Sequence, residues 1–352
     1  MIWLTWRQFR GAAALMGAAL LILTAVLVTT GPRLAEDYAA GIAACTADGD
    51  CGRFFDGFFE ENQSPFLLLT AVILLLPALV GLFWGAPLIT RELEAGTHLL
   101  VWNQSITRAR WLGVKLAVIG LAAVAAAGLG SLMVTWWSGP LDRSAAAGWA
   151  LMDPLVFGAR GIVPMGYAAF AFVLGVTVGM LARRTLTAMA VTLAVFAALQ
   201  IAAPLLVRPH LLTPVTASFP LGPENVDMFG TPRDGSGPRV VLDRAIPGHT
   251  GAWVLTSDLV DAAGKPVRGD EAGAIVPVSM TSGPCASPTG PEGERGLDAC
   301  MAEVNRLGYR QRATYHPFER FWTFQAIETG AYALLTLGLT GFCFWWIRRR
   351  LS

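Results

Sequence analysis

Six long apolar stretches constrain the fold of this chain more than any other feature of its sequence. A helix that crosses a bilayer needs about 20 mostly apolar residues, and each of the six stretches meets this need without a charged side chain. They are Gly11–Gly31, Phe66–Ile89, Leu116–Gly139, Gly161–Leu181, Thr185–Val207 and Thr329–Ile347. The sequence therefore predicts an all-α polytopic membrane protein with six transmembrane helices.

The composition agrees with a chain that is surrounded by lipid. Of its 352 residues 54% are hydrophobic and 14% are charged, and the mean hydropathy is +0.52. Soluble domains carry about 25% charged residues, so a soluble globule of this composition would lack polar side chains to cover its surface. The formal net charge of +1 gives no reason to expect a nucleic-acid partner.

The charges between the stretches predict how the helices are oriented. The side that holds the N-terminus, the Thr90–Lys115 loop, Arg183-Arg184 and the C-terminus carries eleven basic residues and only two acids. Because basic loops stay on the cytoplasmic side, both termini are expected in the cytoplasm. The predicted regions are an amphipathic interface segment (1–10), helices 1 to 5 with the cytoplasmic loop 90–115 (11–207), an extracellular loop domain (208–325), and helix 6 with a basic tail (326–352).

Two predicted extracellular segments differ in length and pattern. Pro32–Pro65 contains the acidic and aromatic run Phe54–Glu61, which is typical either of an amphipathic helix at the outer interface or of a helix packed on an outer domain. Residues 208–325 begin with short strand-like runs between prolines and glycines and continue with the amphipathic stretch Gly296–Leu307. They predict a small α+β domain between helices 5 and 6.

Four of the five cysteines fall in these outer segments, where disulfides persist. Four cysteines allow three pairings, and the local one, Cys45–Cys51 with Cys285–Cys300, is the most economical. Unpaired thiols are the alternative. A zinc site is less favoured because no CxxC motif or histidine pair accompanies the cysteines.

The familiar catalytic motifs are missing from the sequence. It has no HExxH, no GxSxG, no GxxxxGK[ST] and no GxGxxG that leads into a soluble helix. The four histidines stand in different segments without ligand spacing. We therefore expect no catalytic residue, no metal site and no cofactor bound by this chain itself.

Three polar residues in or beside the spans are candidates for a translocation path, since polar groups inside a membrane often mark one. Gln200 either forms a hydrogen bond between helices or binds a substrate. Glu328, with Gln325 nearby, is either a solvated residue at a helix start, favoured by the helix dipole, or a group at the outer mouth of the path.

The pairs Gly175-x-x-x-Gly179 and Gly338-x-x-Gly341 would permit close helix approach.

The Thr90–Trp111 loop is the main feature of the cytoplasmic side. An acidic helical run ends at Gly96, and Thr97 follows as the expected cap of the next turn. Large apolar side chains such as Leu100 and Trp102 then lie on an exposed loop, and such a surface usually binds a partner. The alternative is that the loop packs against the N-terminal segment.

Four motifs in this chain resemble those of the ABC-2 type permeases, the membrane subunits of ATP-driven exporters, and of their actinobacterial members in particular. They are W-x-x-W-R-x-x-R from Trp3, T-R-E-x-E-x-G-T from Thr90, W-x-Q-S-x-T-R-x-R-W-L from Trp102, and Y-H-P-x-x-R-F-W-x-F-Q-x-I-E-T-G over Tyr315–Gly330. The six-span layout agrees with the family along the whole chain.

The resemblance implies a helix between spans two and three that sits in a groove of a separate ATPase subunit. The residues expected to couple to that subunit are Arg91, Glu92, Glu94, Gly96, Thr97, Leu100, Trp102, Ser105, Arg108 and Arg110. The implied assembly has two permease copies, expected as a homodimer, and two ATPase copies that hold ATP and magnesium.

The function expected from these features is that of the permease subunit of an exporter for a hydrophobic or amphipathic substrate, in a bacterial plasma membrane. A membrane-anchored receptor or scaffold, with a ligand bound by the extracellular loop domain, is the first alternative. A membrane enzyme is the second, and the missing motifs count against it.

Overall fold

The structure is a computed structural model, and it describes residues 2–48, 51–96, 107–144, 149–230, 238–267, 269–270, 273–286 and 293–349. In this part of the chain, six helices are long and apolar enough to cross a membrane. They correspond one to one with the six predicted stretches, so the predicted number of spans is confirmed. A small region of β-sheet lies between the fifth and sixth spans.

The described helices are numbered in chain order. They are α1 (Ile2–Asp48), α2 (Gly52–Val80), α3 (Ala86–Glu94), α4 (Arg108–Ser144), α5 (Pro154–Gly158), α6 (Val163–Ala182), α7 (Thr185–Ala202), α8 (Gly293–Arg306) and α9 (Phe321–Arg349). The π-helical turn Gly81–Gly85 joins α2 to α3 without a break, so that the three segments form one continuous helix. A second π-helical turn, Ala203–Val207, and the 3-10 turn Arg208–His210 extend α7.

The first two helices are much longer than the predicted spans. α1 continues through Pro32, and α2 already begins at Gly52, so most of the predicted outer segment Pro32–Pro65 is helix rather than loop. Its aromatic run belongs to α2, where Phe58 and Phe59 are buried in a cluster with Leu34 of α1. The run is therefore not a short helix of its own but the beginning of α2, packed on α1. Apolar packing between the two helices extends them beyond the membrane-spanning length.

A disulfide closes the short connection between α1 and α2. Cys45 and Cys51 are bonded across a sequence separation of six residues, with their Cα atoms 4.9 Å apart. The second disulfide joins Cys285 to Cys300 of α8. Both are the local pairs that the sequence favoured.

Helix α6 is the centre of the helical bundle. Of its most apolar stretch 72% is buried, against 6% for α1 and 11% for α7. Its Gly175 and Gly179 pack against the π-helical turn and the start of α3. A Cβ atom at Gly175 would lie 2.7 Å from the Ala86 nitrogen, and one at Gly179 would lie 2.7 Å from the Ala86 oxygen. This glycine pair therefore allows two backbones to touch, as its spacing indicated.

The other glycine pair has no such role within the described chain. Neither Gly338 nor Gly341 of α9 has an atom within 4 Å of the place where a Cβ would stand. The expected close approach at this pair is therefore not found inside one copy of the chain.

The β region consists of two small antiparallel sheets. Their strands are β1 (Val215–Phe219), β2 (Val226–Gly230), β3 (Arg239–Leu242), β4 (Trp253–Val260), β5 (Gly269–Asp270), β6 (Gly273–Ile275) and β7 (Arg310–His316). The strand orders are β1-β7-β4 and β2-β3-β6-β5. Cys285, together with Cys300 and Val304 of α8, is buried against residues of the second sheet and of β4, such as Val240 and Leu259. The predicted combination of strands and an amphipathic helix is confirmed.

The two ends of the bundle are distinguished by what lies there. Phe9, Ile89, Trp111 and Ile347 share one buried cluster, which places the start of α1, the end of α3, the start of α4 and the end of α9 together. We call this the basic end, because both termini and the Thr90–Lys115 loop, with most of the eleven basic residues counted above, belong to it. At the opposite end, the sheet end, Trp253 of β4 is buried with residues near the start of α9.

Replacing Gly175 by alanine tests the backbone contact at the π-helical turn. The added methyl group would meet backbone atoms that cannot move aside, and overpacking of this kind costs about 1–3 kcal/mol. We expect Gly175→Ala to lower the unfolding temperature of the detergent-solubilised protein. Gly338→Ala is the matched control in open space and should change nothing. Equal stability of the two variants would contradict the described contact.

Candidate functional site

The base of the loop between α3 and α4 lies at the basic end. α3 ends at Glu94, and Gly96 follows with φ +67, the left-handed conformation that glycine adopts after many helices. The next described residue is Thr107, whose Oγ1 accepts a hydrogen bond of 3.3 Å from the Arg110 nitrogen and so caps α4. Four predicted coupling residues, Thr97, Leu100, Trp102 and Ser105, lie outside the described residues.

A buried ion pair joins the two helices at this base. The Lys115 ammonium of α4 donates to the Glu92 carboxylate of α3. The ammonium also lies 4.6 Å from the centre of the Trp111 ring, where a cation is attracted by the ring face. Since a buried ammonium without a partner would be costly, this pair fixes the start of α4 against the end of α3.

Glu94 connects the same base to a third helix. Its carboxylate accepts 2.8 Å and 2.7 Å hydrogen bonds from the nitrogen and hydroxyl of Thr185. Thr185 begins α7, so the negative charge stands at a helix N-terminus, where the helix dipole favours it. The Thr185 hydroxyl also lies 3.2 Å from that of Thr90 in α3. The turn before Thr185 contains Arg183, whose φ of 54° lies in the left-handed region.

The structure thus divides the predicted coupling residues into two groups. Glu92 and Glu94 are among the residues expected to couple to a partner subunit, but both bind groups of this chain. Arg91 and Arg110 are exposed and Arg108 is half-buried. Sequence reasoning missed Lys115 and Thr185 as their partners, although Lys115 is one of only two lysines in the chain and so was a visible candidate.

A second polar group is buried toward the sheet end. Arg208, after α7, binds Glu328 of α9 through two hydrogen bonds of 2.8 Å and 3.0 Å. The Tyr167 hydroxyl of α6 donates to the same carboxylate. Arg208 also donates to the Pro154 oxygen at 3.3 Å, and its guanidinium lies 4.3 Å from the centre of the Phe157 ring. We call Tyr167, Arg208 and Glu328 the buried triad.

The triad overturns one interpretation of Glu328. This residue is only 5% exposed and lies in the third turn of α9, so it is not a solvated group at a helix start. A carboxylate placed among apolar residues needs a cation, and the helix that continues to Arg208 supplies it. The sequence pattern left Arg208 in a loop, because the run of apolar residues stops at Val207.

Gln325 uses its amide fully within the chain. Its oxygen accepts from the Ile162 and Val163 nitrogens at 2.9 Å and 3.0 Å. Its nitrogen donates to the Phe157 and Arg160 oxygens at 3.3 Å and 3.2 Å. The side chain thus satisfies backbone groups at the start of α6, where a helix leaves four N–H groups unpaired. An amide has two donor hydrogens and two acceptor positions, so these bonds leave no capacity for a substrate.

Gln200 joins the same neighbourhood through a tyrosine. The Tyr332 hydroxyl of α9 donates to its oxygen at 3.3 Å, and the rings of Tyr332 and Tyr167 are 4.8 Å apart. All three predicted path residues therefore lie around α6, where each binds another part of the chain.

Another buried ion pair, which the sequence did not reveal, lies close to the start of α6. The Arg160 guanidinium is 3.4 Å from the Asp142 carboxylate of α4, which also accepts a 2.9 Å hydrogen bond from Ser138. Arg160 reaches Thr70 of α2 at 3.5 Å and lies 5.1 Å from the centre of the Phe66 ring. This pair holds the chain before α6 against α2 and α4.

The β region contacts Pro209, the residue that follows Arg208. His316 of β7 is buried between the rings of Trp253 and Phe324, at 5.6 Å and 4.9 Å. Its Nε2 lies 3.2 Å from the Pro209 oxygen. Burial lowers the pKa of His316 below its usual value. The β region is therefore packed directly on the helix ends that carry the triad.

Asp153 lies just before α5, beside Pro154. Its carboxylate accepts a 2.7 Å hydrogen bond from the Ala150 nitrogen. Burial raises the pKa of Asp153 from 3.8 to about 6, although this hydrogen bond and the Arg244 charge act in the opposite direction.

The described residues contain no cluster of three histidine, cysteine or acidic side chains that could hold a metal.

Removing the Glu328 charge should destabilise the protein. Breaking one partner of a buried pair leaves an uncompensated charge and costs about 3–5 kcal/mol. We expect Glu328→Gln to lower stability in chemical unfolding of the solubilised protein, and Arg208→Gln added to it to recover part of the loss. Glu303→Gln, in a solvated pair on α8, is the control and should have no measurable effect. A double variant no better than the single one would contradict the pairing.

The raised pKa of Asp153 predicts a pH dependence of stability. The folded state holds the proton more tightly than the unfolded state, so stability falls as the pH rises from about 4 to 6. Asp153→Asn removes this loss. Its gain over the unchanged protein should be absent below pH 4 and reach at most about 3 kcal/mol above pH 6. Unfolding at several pH values measures it, with the exposed Asp298→Asn as control, and a gain that is constant with pH would refute it.

Comparison with known proteins assigns the chain to a family. The model of the family described as ABC-2 membrane transporter related matches residues 17–208, more than half of the 352 residues. The match covers the spans from α1 to α7 and the loop base, and it ends at Arg208 of the triad. No curated protein matches the chain, and no solved structure matches it. The resemblance is thus confirmed at the level of the family: the chain belongs to the ABC-2 membrane transporter related family and is a multi-pass permease of the ABC-2 type.

Proposed function

We propose that this chain is the permease subunit of an ATP-driven exporter that moves a hydrophobic or amphipathic substrate outward across the plasma membrane. The basic end faces the cytoplasm in this proposal, as the positive-inside rule requires, and the β region is extracellular. A separate ATPase subunit, in two copies that hold ATP and magnesium, drives two copies of the permease. Family membership supports this proposal, since ABC-2 permeases generally work with an ATP-binding subunit.

The observation that carries the proposal is the anchored base of the loop between α3 and α4. Glu92 fixes this base to α4 through Lys115, and Glu94 fixes it to α7 through Thr185. α3 continues into the π-helical turn that touches α6. A force on residues 97–106 would therefore reach α4, α6 and α7 together. Rigid movement of packed helices is a common way to transmit such a force.

We assign Gln200, Gln325 and Glu328 to positioning rather than to substrate contact. Each of them binds another part of this chain, and the triad lies where α6, α9 and the segment after α7 meet. Their contacts hold these helices together on the side of the β region. An outward-opening movement of one helix would have to carry its partners with it.

A co-purification experiment tests the coupling surface. The tagged chain is isolated from native membranes in mild detergent, and its partners are identified by mass spectrometry. We expect a soluble subunit with a P-loop, and we expect Trp102→Ala to reduce its yield at least tenfold, because an aromatic anchor can contribute about 2 kcal/mol or more to an interface. Gly96→Ala should weaken it less, through strain at a positive φ.

Trp322→Ala is the matched control for the coupling surface. Trp322 is 64% exposed and stands in the first turn of α9, far along the chain from the loop, so its loss should leave the ATPase bound. An ATPase that remains bound to the Trp102 variant would refute the coupling surface. A chain that purifies without any ATPase would refute the transporter itself.

A receptor or scaffold is the second candidate function, and one feature favours it. A cleft of about 620 Å³ lies between the start of α2, the end of α4 and the β region, with Asp56, Arg143, Asp243, Arg244 and His249 in its lining. Its size is within the range of small-molecule sites. Co-purification of extracellular partners without an ATPase would favour the receptor or scaffold function, with this cleft as the candidate ligand site.

A further inference from the structure

The end of α9, from Gly341 to Arg349, carries a shallow open groove whose lining residues all belong to this one helix. It has a volume of about 600 Å³ and is lined by Gly341, Phe344, Trp345, Arg348 and Arg349. The groove is open at Gly341, because no atom lies within 4 Å of the place where its side chain would begin. Phe344 is directed toward Gly113 of α4, so the groove runs beside the contact between α9 and α4.

The two ends of the groove differ in chemistry. Gly341 and Phe344 make one end apolar, whereas Arg348 and Arg349 are exposed at the other. Trp345 is 45% exposed between them, and the Arg349 guanidinium lies 5.9 Å from the centre of its ring. Tryptophan and arginine in this arrangement are typical of the level of lipid headgroups.

No acid competes for these arginines among the described lining residues. The only acids that the sequence places on this side of the membrane are Glu92 and Glu94. Their carboxylates are bound to Lys115 and Thr185. A ligand that complements the groove therefore combines a negative charge with a long apolar chain.

We propose that this groove binds one anionic phospholipid, with its phosphate on Arg348 and Arg349 and an acyl chain over Gly341. The inference depends on the membrane placement of α9 but not on the ATPase or on transport. Arginines in the last turn of a helix also offset the helix dipole, so the test must measure lipid binding rather than stability.

Native mass spectrometry of the solubilised chain, titrated with phosphatidylglycerol or with phosphatidylcholine, measures the bound lipid. We expect one phosphatidylglycerol to bind in preference to phosphatidylcholine. The double variant Arg348→Gln/Arg349→Gln should lose about 30-fold in affinity for phosphatidylglycerol, since each basic residue near an anionic headgroup contributes on the order of fivefold. Equal binding of the two lipids by the unchanged chain would overturn the proposal.

Two further variants separate the site from general effects of charge. Arg183→Gln/Arg184→Gln removes the same charge at the same end of the bundle and should leave the affinity unchanged. Gly341→Leu fills the apolar part, keeps both arginines and should reduce binding at least fivefold. The proposal fails if the control loses as much as the Arg348 and Arg349 variant, or if Gly341→Leu binds lipid as before. Unfolding without added lipid checks that each variant is folded.

Discussion

Buried charges must find partners inside the chain, and this constraint arranges the helices. A charge that is taken from water into the interior of a protein is costly unless it has a partner there. Glu328 meets Arg208 and Tyr167, Asp142 meets Arg160, and Lys115 meets Glu92. The pairs join different segments that are 120, 18 and 23 residues apart in sequence, and they hold apolar helices at fixed positions relative to one another. Apolar packing alone lacks this selectivity, because lipid tails are as apolar as leucine.

The polar contacts and the glycine contacts together connect the two ends of the molecule. At the basic end, Glu94 joins α3 to α7, and the π-helical turn touches α6 at Gly175. At the sheet end, the triad joins α6 to α9, which continues from the β region. α6 takes part at both ends and is the most buried span. The proposed transport function, in which a partner acts on a loop at one end, requires such a connected core.

Particular residues show why the site was only partly predictable. The apolar runs and the charge pattern drew attention to the loop, to Gln325 and to Glu328, because polar residues stand out against an apolar background. Their partners did not stand out: Tyr167 lies in an apolar run, and Arg208 follows one. The sequence does not predict the length of α1 either, because Pro32 indicates the end of the span, whereas packing on α2 and the Cys45–Cys51 disulfide support the helix beyond it.

The sequence by itself determined the six spans, the small α+β region, the local cysteine pairs and the family. These properties depend on local composition and on short motifs. A bilayer requires long apolar helices, and an oxidising compartment permits disulfides between neighbouring cysteines. Only the tertiary structure decided that Glu92 and Glu94 bind within the chain, that Glu328 is buried in an ion pair, and that Gly175, but not Gly338, touches a neighbouring backbone. These are contacts between segments far apart in sequence, and helical periodicity does not specify which helix faces which.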